Sequence, residues 1–245
     1  MQPQAANYRP LFYPLVGLLL TLAVIAGFWP QYYQPLITGR ELAPRNNSWG
    51  IHVHSALFLT WVAGFALQAL LVRQGQVHLH RRVGTVMAIF GLATAAVGTW
   101  AAFAANLEHV RNGLPLDRGA TILFFIVSDM AMFAGFLAAG IAYRYRREIH
   151  KRFMLLATLS LAFVGMGRLI AHIAPTLFPQ HRWTAILIML TPVFAAVGHD
   201  LYRRRAIHPV YVIGLGLFLL RLLRVPFAMS ETWRGVGRDL LRPFL

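Results

Sequence analysis

Seven apolar stretches, each long enough to cross a lipid bilayer, follow one another along this chain. They run approximately over Leu11–Trp29, Ile51–Val72, Val83–Ala105, Ala120–Tyr143, Phe153–Ala174, Trp183–Tyr202 and Pro209–Met229. A hydrocarbon core of ~30 Å takes about 20 helical residues to span. Inside it every backbone N–H and C=O needs an internal partner, which a helix supplies. Short polar connections make successive helices antiparallel neighbours. The expected fold is therefore all-α: an integral membrane bundle of seven transmembrane helices forming one domain over residues 1–245. The first stretch is too long for the apolar region of a signal peptide, and no small-x-small cleavage site follows it. The stretch from Gln31 to Gly50 reads as a loop, marked by Pro30, Pro35, Pro44 and Asn46-Asn47-Ser48.

Composition agrees. The hydrophobic fraction is 58% and the charged fraction 13%, against roughly 45–50% and ~25% in soluble domains. The formal net charge of +15 accompanies no nucleic-acid motif, so a nucleic-acid partner is not expected. The charges fall mostly on one side. That side holds Arg9, Arg73, Arg81, Arg82, Arg144, Arg146, Arg147, Lys151, Arg152 and Arg203 to Arg205, while the other loops hold Arg40, Arg45, Arg111, Arg118 and Arg182. The positive-inside rule then places the N-terminus and the Arg-rich turns in the cytoplasm of a bacterial inner membrane, with the C-terminus outside. Arg221 and Arg224 in the last stretch leave a six-span alternative, in which that stretch is re-entrant. Residues 230–245 read as an interfacial amphipathic helix, with Trp233, Val236 and Leu240 opposite Arg234, Arg238 and Arg242.

The chain contains no cysteine, which excludes disulfides, iron–sulfur clusters and thiolate metal sites. Ten histidines remain as candidate ligands. His150, Arg168 and His172 are spaced so that they fall within about 40° of one helix face, with the two histidines about 33 Å apart. One pair of sites, on opposite membrane sides, follows: His172 with His54, and His150 with His80 or His199, beside Asp200. Imidazole pairs from different helices can hold haem b or a transition metal. His80-Arg81-Arg82 and His150-Lys151-Arg152 also hint at related hairpins.

Ionisable residues within membrane spans are costly and are candidates for function. Asp129, Arg168 and Arg221 fall in one layer, roughly 9–14 Å below the outer surface. An Asp129–Arg168 ion pair is expected, with Arg221 leaving a positive pocket for an anion. Gly135–Ala139 and Gly165-Met166-Gly167 read as helix packing, and Pro192 as a kink.

The motifs His80-Arg81-Arg82-Val83-Gly84, His150-Lys151-Arg152-Phe153-Met154 and His199-Asp200-Leu201, with His54, Trp61 and Gln68, resemble an uncharacterised family of bacterial multi-spanning membrane proteins. That resemblance implies the fold and membrane location over about His52 to Trp233, and no particular activity. A looser similarity is to transmembrane b-type cytochromes, which implies haem b on histidines near the bundle ends. Three functional readings result. One is a redox protein with His-held haem or metal. Another is a carrier or sensor of a small anionic or lipid-like ligand. The third is an accessory subunit that docks on a membrane-protein partner. A zinc hydrolase built on His80, His150, His199 and Asp200 would lack an identifiable general base.

Overall fold

The computed structural model describes residues 11–42 and 48–245, and has no strand among them. Arg9, Pro44, Arg45, Asn46 and Asn47 lie outside the described residues. The helices are α1 (Phe12–Phe28), α2 (Gln34–Thr38), α3 (Trp49–Arg73), α4 (Val77–Arg111), α5 (Leu116–Ala142), α6 (Arg147–Ile173), α7 (Leu177–Arg204), α8 (Pro209–Ala228) and α9 (Glu231–Leu241). Six of the described helical segments are long and apolar enough to cross a membrane, so the chain is a multi-pass, all-α membrane bundle.

α6 is the hub. Within its apolar window 61% of residues are buried, against 22–33% in the other spans. Residues Leu155 to Phe163 are buried without a break. α1, α5, α7 and α8 all pack on this helix, and α3 and α4 complete the bundle through α1 and α5. Small residues let these backbones meet. A Cβ on Gly27 would fall 2.1 Å from the carbonyl oxygen of Gly165, so α1 and α6 touch there backbone to backbone.

α8 is shorter, and Arg221, Arg224 and Pro226 interrupt its apolar character. It nevertheless runs the length of the bundle. Near its start Tyr211 meets Tyr13, with the hydroxyls 3.1 Å apart, beside the Arg152 end of α6. At its finish the carbonyl of Ala228 accepts from Thr121 at the opposite end of α5. Its two ends therefore lie at opposite ends of the bundle, although it is not among the six helices whose length and composition suit a membrane span.

Two regions depart from the expected pattern. The presumed loop after α1 begins as helix: a π-helical turn, Trp29–Tyr33, leads into α2, and Gly39 ends it at φ 69°. Pro30 and Pro35 fit because each falls at the start of a turn, where the missing N–H is not needed. The tail is helical and also makes specific contacts with the bundle. α9 docks on the end of α5, where Trp233 Nε1 donates to Ala120 O at 2.8 Å and Arg238 pairs with Asp117 at 2.7 Å. Gly237 lies so near Ala120 that a Cβ would come within 2.5 Å of its methyl. Trp233, Gly237 and Leu241 form the packed face, and Val236 and Leu240 remain exposed. In α7 the non-helical residue is His181, not Pro192.

Candidate functional site

Asp129 stands at the midpoint of α5, facing α8. Its Oδ2 accepts from Arg221 Nη2 at 2.8 Å, and its Oδ1 accepts from Arg224 Nη1. Arg224 Nη1 also donates to Ser128 Oγ at 2.7 Å. Arg221 and Arg224 are three residues apart and so share a helix face. Each guanidinium also lies over an aromatic ring, Arg221 on Phe163 and Arg224 on Phe125, both at 4.8 Å. Such stacking on a ring face offsets part of the loss of water.

The expected Asp129–Arg168 pair does not form. Depth placed these residues in one layer, but their helices present them to different neighbours. Arg168 points from α6 toward α1, where it donates to Gln31 and lies over Phe28 at 4.8 Å.

The cluster is unbalanced. One carboxylate faces two guanidiniums, so one positive charge is in excess. Arg221 Nη1 is buried and has no hydrogen-bond partner among the described residues. A buried donor left unpaired costs about 1–3 kcal/mol, and more when charged. Next to it is a half-open groove of about 510 Å³ between α5 and α8. Arg221, Arg224 and Ser128 line its charged end, and Met132, Phe136, Phe153 and Leu217 its apolar length. Gly135 opens onto the same groove, and a Cβ there would meet nothing within 4 Å. It serves the groove and not the helix packing that its spacing implied.

The histidines divide differently. His80 and His150 do meet, with ring centroids 6.3 Å apart and planes at 78°. His150 Nδ1 lies 2.7 Å from Gly140 O, an acceptor only, so the proton stands on Nδ1. Gln68 inserts its amide between His80 and Gly84. With the nitrogen turned toward His80 it donates to the carbonyl at 3.0 Å and to Nδ1 at 2.5 Å, and its oxygen accepts from Gly84 N–H at 3.2 Å. A metal or haem iron takes one imidazole nitrogen while the other carries the proton. In that orientation of its amide Gln68 engages Nδ1 of His80, as Gly140 O engages Nδ1 of His150.

The remaining candidates are separate. His54 stacks on Phe58 at 6.0 Å, whereas His172 Nε2 lies 3.2 Å from Gly27 O. The two make no contact with each other. His199 stacks on Phe12 at 4.3 Å instead of joining His150. Asp200 is taken by Arg152, which donates Nε to Oδ2 at 2.9 Å and Nη2 to Oδ1 at 2.5 Å. No group of three or more His, Asp or Glu side chains placed to hold a metal ion occurs among the described residues. His208, just outside α8, accepts Val210 N–H through Nδ1 at 3.2 Å. Burial, with Arg152 and Arg204 nearby, pushes its pKa below the ordinary histidine value, in keeping with that neutral role.

The sequence singled out Arg152 as a topological charge and a motif residue, not as a partner of Asp200, and Arg224 as an anomaly. Acid scarcity was the missed signal. With eight Asp and Glu in the chain against 23 Lys and Arg, an acid within an apolar stretch has a choice of cations. Compared with family models, curated proteins and solved structures, the chain has no match.

Proposed function

We propose that this protein binds an anionic amphiphile in the groove between α5 and α8, as a carrier or sensor of a lipid-like ligand. The observation that carries this reading is Arg221, which lines the polar end of an apolar groove and whose buried Nη1 has no acceptor among the described residues. An oxyanion there would lie against the Arg221 and Arg224 guanidiniums and offset the excess charge, and an alkyl chain would lie along Met132, Phe136 and Leu217. The volume is within the ~300–1,000 Å³ of small-molecule sites. The groove is lined by the spans themselves, so ligand would enter sideways from the membrane. In this reading the Arg-rich end faces the cytoplasm of a bacterial inner membrane.

The test is lipid retention by the detergent-purified protein, measured by native mass spectrometry with phosphatidylglycerol and phosphatidylcholine of equal chain length. Phosphatidylglycerol should bind in preference, and Arg221→Gln should weaken it by about tenfold, the loss of ~1.4 kcal/mol. Equal retention of both lipids, or a folded Arg221→Gln protein that binds as well as the parent, would sink the proposal.

A further inference from the structure

The charge count at the groove goes further than a liking for anions, provided the groove reading above holds. We infer that the site selects a headgroup with a single negative charge, a phosphodiester or carboxylate, and rejects a doubly charged phosphomonoester. Two guanidiniums, Arg221 and Arg224, face one carboxylate, Asp129. The other groove-lining residues are uncharged. A monoanion completes the balance at two against two. A neutral ligand leaves a net positive charge at the middle of the bundle, and a dianion leaves a net negative one. Uncompensated charge is expensive at that depth, where lipid and apolar side chains replace water.

The geometry supports the same count. Asp129 spends one oxygen on each guanidinium, and Arg224 Nη1 is shared between Asp129 and Ser128. Arg221 Nη1 is a buried donor without a partner among the described residues, so the carboxylate does not saturate the two guanidiniums. Asp129 is thus the specificity-determining residue. It does not contact the ligand's charge favourably; it subtracts one charge from what the two arginines would otherwise accept.

The prediction is an inversion. Phosphatidylglycerol and phosphatidic acid with the same chains are compared at about pH 9, where a phosphomonoester carries its second charge. The parent protein should prefer phosphatidylglycerol by about tenfold. In Asp129→Asn the site gains a positive charge, and the preference should reverse. Asp129→Glu should restore it. Arg224→Gln, which moves the charge the other way, should bind phosphatidylglycerol no better than phosphatidylcholine, and it keeps the test alive if Asp129→Asn does not fold. Dimethyl phosphate has the same single charge without chains, and should fail to compete. If it competes as well as the lipid, the ligand is a free anion and the amphiphile assignment is overturned. An unchanged lipid ratio across folded variants that still bind phosphatidylglycerol would overturn the charge rule alone. A parent protein that binds neither lipid would overturn the groove reading, and this inference with it.

Discussion

The bundle contains two Asp–Arg clusters, one buried and one part-buried, built from the same chemistry and finished in opposite ways. At the Arg-rich end Arg152 is 1% exposed and Asp200 is 2% exposed. Every nitrogen of that guanidinium has an acceptor: Nε and Nη2 on Asp200, and Nη1 on the Glu148 carbonyl and carboxylate. The Glu148 carboxylate in turn takes Lys151 and Arg204 at 2.7 Å each. In mid-bundle, Arg221 and Arg224 share one carboxylate, one nitrogen has no partner, and a groove adjoins it. The first cluster joins α6 to α7 and engages every nitrogen of Arg152. The second leaves capacity over. A saturated buried ion pair fixes geometry, whereas an unsaturated one holds a charge ready for something that arrives.

The largest effect should come from breaking the saturated cluster. Asp200→Asn leaves Arg152 buried with Glu148 as its remaining carboxylate. Removing one partner of a buried pair costs roughly 3–5 kcal/mol. Thermal unfolding in detergent should show a large fall, while phosphatidylglycerol binding by the protein that remains folded should not change. A melting point like that of the parent would mean that the two clusters do not differ as described.

A smaller effect, confined to binding, should come from filling the groove without touching a charge. Gly135→Leu places a side chain where the added Cβ meets nothing within 4 Å. Folding should be unaffected, and lipid affinity should fall about tenfold, or ~1.4 kcal/mol. Retained affinity in the native mass spectrum would place the ligand elsewhere and remove the functional half of the comparison.

The sequence showed depth well and direction poorly. The spans could be read because long apolar runs are required by the bilayer thickness, and α3 to α7 follow the apolar runs from Ile51 to Tyr202. Asp129 and Arg221 could be placed in one layer by counting residues along their helices. Which helix each faces could not. In a membrane the lipid-facing and core-facing sides of a helix are both apolar, so hydrophobic periodicity loses the angle it supplies in water. Hence depth pairs Asp129 with Arg168, and depth together with spacing along one helix face pairs His54 with His172. What marks direction in lipid is small and polar residues. α6 carries Ala157, Thr158, Ser160, Ala162 and Gly165 around its circumference, the pattern of a helix surrounded by others. Gly135 shows the limit of that rule, because a small residue can open a cavity as well as close a contact.

The smallest effect separates charge from ordinary hydrogen bonding within the saturated cluster. Tyr13 and Tyr211 meet hydroxyl to hydroxyl at 3.1 Å, and Arg152 lies over the Tyr211 ring at 5.4 Å. Tyr13→Phe removes a neutral hydrogen bond and keeps the ring in its place between α1 and α8. Such a bond contributes about 1 kcal/mol. The loss in thermal stability should therefore be a fraction of that in Asp200→Asn, with lipid binding unaltered. A loss as large as that of Asp200→Asn would locate the strength of this end in the tyrosine pair instead of the ion pair. The contrast with the groove would then be one of packing and not of charge.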